Sequence, residues 1–268
     1  MTLTQNEINS YKENGFLIIE NLFSKEEIEA LAQETSIFND LKDLPNVIME
    51  EDGGAVRSVF APNTMSKKYN ELYQQNRLVK PAQQLLESDI YLYQFKLNNK
   101  KAFVGDWWEW HQDYAYWHLD DGVKHPQMIS AMILMQNTTA IQGPLTFIPK
   151  SHQNGMVEFQ PKQHLKDGTD LKNSLSADLK YTINRNLVTE SIKENGFIEA
   201  TGSIGTCVFF HPNLFHASNT NISPFERNTA IVTYNDVKNL PEDNDKNRPE
   251  YVCARDFRPI DALKINFA

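Results

Sequence analysis

The chain has 268 residues, with 26 Lys and Arg against 35 Asp and Glu, a formal net charge of −9. An acidic surface argues against nucleic acid or an anionic membrane as the main partner, no apolar run approaches the ~18 residues that span a bilayer, and the polar first residues lack a secretion signal. Cys207 and Cys253 alone make neither a disulfide framework nor a thiolate zinc site, so a reduced, cytoplasmic setting and a small-molecule partner are expected; nothing sets an oligomeric state.

Thr4-Gln5-Asn6-Glu7 reads as a capping box and Gly15 as the stop of a first helix. Residues 16–20 read as a strand, and Ser24-Lys25-Glu26-Glu27 opens a second helix to about Glu34. Residues 38–65 look irregular, with Asp52-Gly53-Gly54 as a turn. Residues 66–88 look helical, with a break near Val79-Lys80-Pro81. From residue 90 the texture becomes aromatic and β-branched, which predicts a strand over 90–97. A strand carrying His111 follows. The apolar run at 128–136 suits a strand buried on both faces. Further short strands fall at 143–149, 197–200, 206–210 and 228–234. Residues 155–200 are polar and read as an inserted lid; 239–250 are charged and read as an exposed loop. This order predicts an α+β protein. A helical shell (about 1–88) would cover a double-stranded β-helix, or jelly-roll, core (about 90–236), with a tail at 237–268 and one domain over 1–268.

Residues 107–118 hold all four tryptophans and two of the seven histidines. On a strand, His111 and Asp113 would point to one face. That is two-thirds of a facial iron site of two histidines and one carboxylate. An HxD triplet alone is weak evidence, and a hydrogen-bonded pair is its plain alternative. The chain offers His211 and His216 as the third ligand. His216 is preferred because Arg227 follows eleven residues later, at the start of the next strand. An iron site of this kind needs an electron-donating co-substrate. The usual one, 2-oxoglutarate, would present a far carboxylate for an arginine fork. Trp107 and Trp110 are assigned to packing, while Trp108 and Trp117 are open between core and pocket.

Together these pieces resemble the phytanoyl-CoA dioxygenase family of Fe(II)/2-oxoglutarate oxygenases, and within it the ectoine hydroxylase branch. The matching segments are His111-x-Asp113, Trp117-His118 with Asp120-Asp121-Gly122, Gly143-Pro144-Leu145 with Ile148-Pro149 and Ser151-His152, and His216-x-Ser218-Asn219-x-Asn221 with Arg227. The resemblance implies iron on His111, Asp113 and His216. It implies the distal carboxylate of 2-oxoglutarate on Arg227 and Ser218, with Asn98 and Ser130 as further co-substrate contacts. Gln94, Lys96, Tyr116 and Trp117 would line the substrate pocket. Three departures stand out. The chain reads His-Gln-Asp-Tyr-Ala-Tyr-Trp where that branch carries His-Ser-Asp-Phe-Glu-Thr-Trp. Lys96 replaces an arginine and Lys150 a glycine.

The expected activity is O2-dependent hydroxylation of an aliphatic C–H in a small, polar, amino-acid-like substrate, with release of succinate and CO2. Alternatives are ectoine hydroxylation itself, a catalytically silent 2-oxoglutarate sensor, and a zinc hydrolase on a cupin-like barrel. The last leaves Arg227 without a role.

Overall fold

Thr4 and Glu7 close the first helix reciprocally. The Thr4 hydroxyl accepts from the Glu7 N–H, and the Glu7 carboxylate accepts from the Thr4 N–H at 2.7 Å. The computed structural model describes residues 1–38, 41–50, 54–161, 179–242, 248–265 and 267. Helix α1 (Gln5–Asn14) ends on Gly15 at φ 82°, a left-handed turn where a Cβ would also strike His152. Strand β1 (Phe16–Ile19) follows, and α2 (Lys25–Phe38) starts at the Ser24–Glu27 pair but runs past Glu34.

The stretch expected to be irregular holds two strands, β2 (Val47–Met49) and β3 (Val56–Phe60). Each is too short to show a period in sequence. They form because β3 docks on the next long strand, with Ser58 opposite Asn98. The turn expected at Asp52-Gly53-Gly54 lies mostly outside the described residues. Two helices follow, α3 (Lys67–Tyr73) and α4 (Asn76–Leu86), so the break falls at Gln74-Gln75 and not at Pro81. Pro81 removes one N–H inside α4. Burial of Leu78, Val79, Ala82, Leu85, Leu86 and Pro81 itself offsets that loss.

The core strands are β4 (Ile90–Lys100), β5 (Trp108–His111), β6 (Met128–Leu134) and β7 (Leu145–Phe147), with helix α5 (Asp113–Leu119) after β5. Then come β8 (Phe159–Pro161), β9 (Tyr181–Ile183), α6 (Arg185–Asn195), β10 (Ile198–Glu199), β11 (Cys207–Phe210), β12 (His216–Ser218) and β13 (Arg227–Asp236). The middle of the expected lid, 162–178, lies outside the described residues.

Among the described residues, seven strands form one sheet in the order β1-β11-β6-β13-β4-β3-β2, and four form a second, β10-β7-β12-β5. All seven residues of β6 are buried, as its unbroken apolar run requires. One face of the large sheet (Leu97, Ile129, Ala131, Ile133, Ala230, Val232) packs on Ile28, Tyr69, Leu78 and their neighbours from the helices. The other face (Met132, Leu134, Val208, Phe210, Ile231) packs on Leu145 and Phe147 of the small sheet. This is the expected α+β jelly roll with helices outside. The exposed loop expected at 239–250 holds in part among the described residues: Leu240, Glu242, Pro249 and Glu250 are exposed, but Asn239 and Arg248 are buried. No helix among the described residues is long and apolar enough to cross a membrane.

Candidate active site

His111 is the last residue of β5, and the chain then turns a corner. Sequence spacing placed His111 and Asp113 on one strand face; Asp113 is instead the first residue of α5. Gln112 is the cause. It is fully buried, donating to the carbonyls of Gly155 and Asn213 at 2.7 Å each and accepting from the Val157 N–H at 3.0 Å. A strand could not continue through that anchor, and a carboxylate is favoured in the first turn of a helix.

The convergence stands even so. β12 pairs with β5 so that His216 sits opposite His111. Asp113 Oδ1 lies 3.8 Å from His111 Nε2 and 3.8 Å from His216 Nε2. All three residues are buried, and their ligand atoms lie within 4.8 Å of one another. His111 Nδ1 faces the Glu109 carbonyl at 2.7 Å, and His216 Nδ1 faces the Leu214 carbonyl at 2.9 Å. A carbonyl only accepts, so each Nδ1 carries the proton and each Nε2 turns its lone pair inward. Burial, then the neighbouring His216, pushes His111 down to about 3; burial also lowers His216. Burial alone would raise the Asp113 carboxyl, but Lys96 and the two imidazoles hold it below its usual value. Two neutral imidazoles and one carboxylate are therefore ready to bind a cation without first losing protons. That donor set, with open positions, suits non-haem iron(II).

His211 plays another part. Its Nδ1 accepts from the Asn213 N–H at 3.1 Å and its ring rests 5.1 Å from His152. It is a turn residue.

Gln94, Lys96 and Asn98 are alternate residues of β4 and share the face toward the metal ligands, as their spacing requires. With Trp108, Tyr116 and Trp117 they line one cavity that also contains His111 and Asp113. Trp117 stacks edge-on against Tyr93 at 5.5 Å, and the Tyr116 hydroxyl accepts from the Tyr181 N–H at 3.2 Å. The sequence had left Trp108 open; it lines the cavity, with the Arg57 guanidinium 3.9 Å from its ring. Trp107, expected to pack, is instead exposed, and Trp110 packs with Ile148 and Phe215. Ser130 lies on the inner face of β6, where its hydroxyl bonds Thr233 at 3.0 Å; it is not part of the cavity wall.

Four wall residues escaped the sequence reading: Ser58, Phe60, Leu179 and Arg248. Arg248 matters most. Its Nε donates to Asp121 Oδ1 at 2.7 Å and its Nη2 to the other oxygen, while Tyr93 donates to the same carboxylate. The Asp120-Asp121 pair beside the metal motif was the available signal.

Arg227 is buried at the start of β13. It donates to the Thr229 hydroxyl at 3.3 Å and the Gly143 carbonyl at 3.0 Å, while its Nε has no partner. Burial, then Arg57, lowers it to about 10, so it remains a cation. The buried Ser218 hydroxyl also lacks a partner. No carboxylate among the described residues pairs with Arg227. A buried guanidinium with an idle donor suits an anionic ligand group.

The sequence profile of phytanoyl-CoA dioxygenase (PhyH) matches residues 11–229. The chain belongs to the phytanoyl-CoA dioxygenase family. Its relatives include an ectoine dioxygenase of Bordetella bronchiseptica, 33% identical over 98% of this chain and 87% of that protein. An L-proline trans-4-hydroxylase of Streptomyces griseoviridis is 32% identical over 93% and 92%. Among solved structures, EctD from S. alaskensis with 2-oxoglutarate and 5-hydroxyectoine superposes at a TM-score of 0.85, with 25% identity over 99% of this chain and 89% of that one. The same enzyme with bound Fe gives 0.84. The phytanoyl-CoA dioxygenase fold, the His-Asp-His cluster and these relatives make the chain an enzyme of the iron(II)- and 2-oxoglutarate-dependent dioxygenase class.

Proposed function

We propose that the chain hydroxylates an aliphatic C–H bond of a small, polar, amino-acid-like substrate, consuming O2 and 2-oxoglutarate and releasing succinate and CO2. The observation that carries this reading is the pairing of two idle groups in one sandwich. Two Nε2 lone pairs and a carboxylate converge, and Arg227 is buried with no carboxylate of the described residues paired to it.

His111, Asp113 and His216 would hold iron(II). Arg227 and Ser218 would take the distal carboxylate of 2-oxoglutarate, with Asn98 and Ser130 on the same inner faces as further contacts. Bound there, iron with 2-oxoglutarate supplies the oxidant that converts C–H to C–OH. The chain's own part is orientation and exclusion of water. Carbonyl-bound Nδ1 protons fix both imidazoles. The Gln112 corner fixes Asp113. Trp108, Tyr116, Trp117 and Phe60 form apolar walls, and Gln94 and Lys96 add polar contacts. Lys96 is a cation on the cavity wall, whereas Arg248 is already paired with Asp121; Lys96 favours a substrate carrying its own carboxylate. Ectoine and L-proline, the substrates named for two relatives, both fit that description and are the first compounds to try.

The same proposal treats residues 1–268 as one catalytic domain and 155–200 as a cover over the pocket. Within that segment, Leu179 lines the cavity and the Tyr181 N–H donates to the Tyr116 hydroxyl. The proposed compartment is the cytoplasm, in keeping with two free, buried cysteines. The test is a mass-spectrometric screen of free and N-modified amino acids, with ectoine and L-proline included, in the presence of Fe(II) and 2-oxoglutarate. A gain of one oxygen, dependent on both, is expected for a carboxylate-bearing member of the panel. Oxygen gain only on compounds lacking a carboxylate overturns the substrate class.

A further inference from the structure

A second cavity lies away from the metal ligands. Behind the large sheet, α2 and α3 stand off from the ends of β4 and β13 and leave a space of about 180 Å3. Asn99 and Asn228 lie side by side there as cross-strand partners. Asn99 is 8% exposed, and neither carboxamide oxygen has a hydrogen-bond partner. Protein interiors rarely tolerate two such groups together unless something else binds them. Glu226 also lines the cavity, with Oε1 paired to Lys101 at 2.6 Å. Gln136 also lines the cavity, but its N–H is spent on the Glu226 carbonyl. Leu97 and the Tyr69 ring supply the apolar part of the wall.

We propose that this cavity is a second binding site, for a small primary ammonium compound with a short aliphatic body. Its polar end offers acceptors: two amide oxygens and a carboxylate. An ammonium group carries three donors and no acceptor, so it satisfies them together. Turning either amide over would place an N–H at the same point, and the parallel titration with propionate tells the two orientations apart. The aliphatic body lies against Leu97 and Tyr69. The site lies on the face opposite the metal ligands, yet shares β13 with them: Glu226 and Asn228 flank Arg227.

The test is calorimetry on the full-length chain, titrated with n-propylammonium chloride, 1-propanol and sodium propionate in parallel. Saturable binding is expected for propylammonium alone. Asn99→Leu fills the polar end and should weaken it about tenfold, the loss of one well-placed hydrogen bond with its partner left stranded. Asn99→Asp keeps the size, adds a charge and should tighten it roughly fivefold. The proposal is overturned if propylammonium gives no saturable heat, if propanol binds equally well, or if Asn99→Leu leaves the affinity unchanged. If Asn99→Leu does not fold, Asn99→Asp decides: unchanged or weaker binding overturns the site.

Discussion

Arg227 and Lys100 are cross-strand partners at the ends of β13 and β4, so two cations meet in the protein interior. Lys100 gives its N–H groups to the carbonyls of Ser218 and Asn219, on the segment that joins His216 to Arg227. Burial, then Arg227 and Arg57, pushes the Lys100 ammonium down to about 6 from an ordinary 10.5. Between those values the folded chain binds fewer protons than the unfolded chain. The contribution of Lys100 to stability therefore rises with pH across that window, and its full penalty is present below about pH 6.

The stability of wild type relative to Lys100→Met should accordingly grow with pH, by about 1 kcal/mol per unit between pH 6 and pH 8. Chemical denaturation at several pH values reads this directly. A difference that does not change with pH contradicts it.

Arg227→Ala should raise the 2-oxoglutarate concentration needed for half-maximal succinate formation about a hundredfold, or about 3 kcal/mol. Arg227→Lys should recover only part, because an ammonium keeps the charge but loses the two-pronged fork. Steady-state kinetics with varied 2-oxoglutarate checks both. An unchanged requirement in Arg227→Ala removes the residue from its proposed role.

Asp121 is buried and binds Arg248 at two points. Asp121→Asn leaves the buried guanidinium without a counter-charge, which costs about 3–5 kcal/mol. The melting temperature should drop sharply, and substrate KM should rise in whatever fraction remains folded. A loss below about 1 kcal/mol would mean that water reaches Arg248 freely.

Lys150 has a left-handed backbone, with φ 66°, a conformation that favours glycine. A side chain there costs about 1 kcal/mol. Its bridge to Glu13 at 3.0 Å is exposed on both sides and offsets little. Lys150→Gly should therefore stabilise the chain by about 1 kcal/mol, read by urea denaturation. Destabilisation would show that the bridge outweighs the backbone strain.

The sequence was legible where a function is written in neighbouring residues or in a strict period. The alternation of Gln94, Lys96 and Asn98 did place them together on the cavity wall, and His111, Asp113 and His216 converge, although Asp113 does so from a helix and not from the strand its spacing suggests. The unbroken apolar run of β6 also carried through. It was illegible where distant contacts decide. The His111-x-Asp113 spacing reads as one strand, yet the strand ends at His111 and Asp113 opens a helix, with Gln112 between them held by Gly155 and Asn213. Arg248 lies in a charged, proline-containing stretch that reads as solvated, and only Asp121, 127 positions earlier, draws it inside. β3 brings Ser58 and Phe60 to the pocket because β4 offers an edge, a fact that no local pattern records.

The central claim is that His111, Asp113 and His216 form one iron site that works with 2-oxoglutarate. Succinate formation measured with Fe(II), O2 and 2-oxoglutarate tests it most directly, with wild type beside His111→Ala, Asp113→Ala and His216→Ala, each checked for folding. The account predicts turnover in the wild type that stops without 2-oxoglutarate or O2 and falls to background in all three variants. Full turnover in any one folded variant, or none in the iron-loaded wild type with any member of the amino-acid panel, would contradict it.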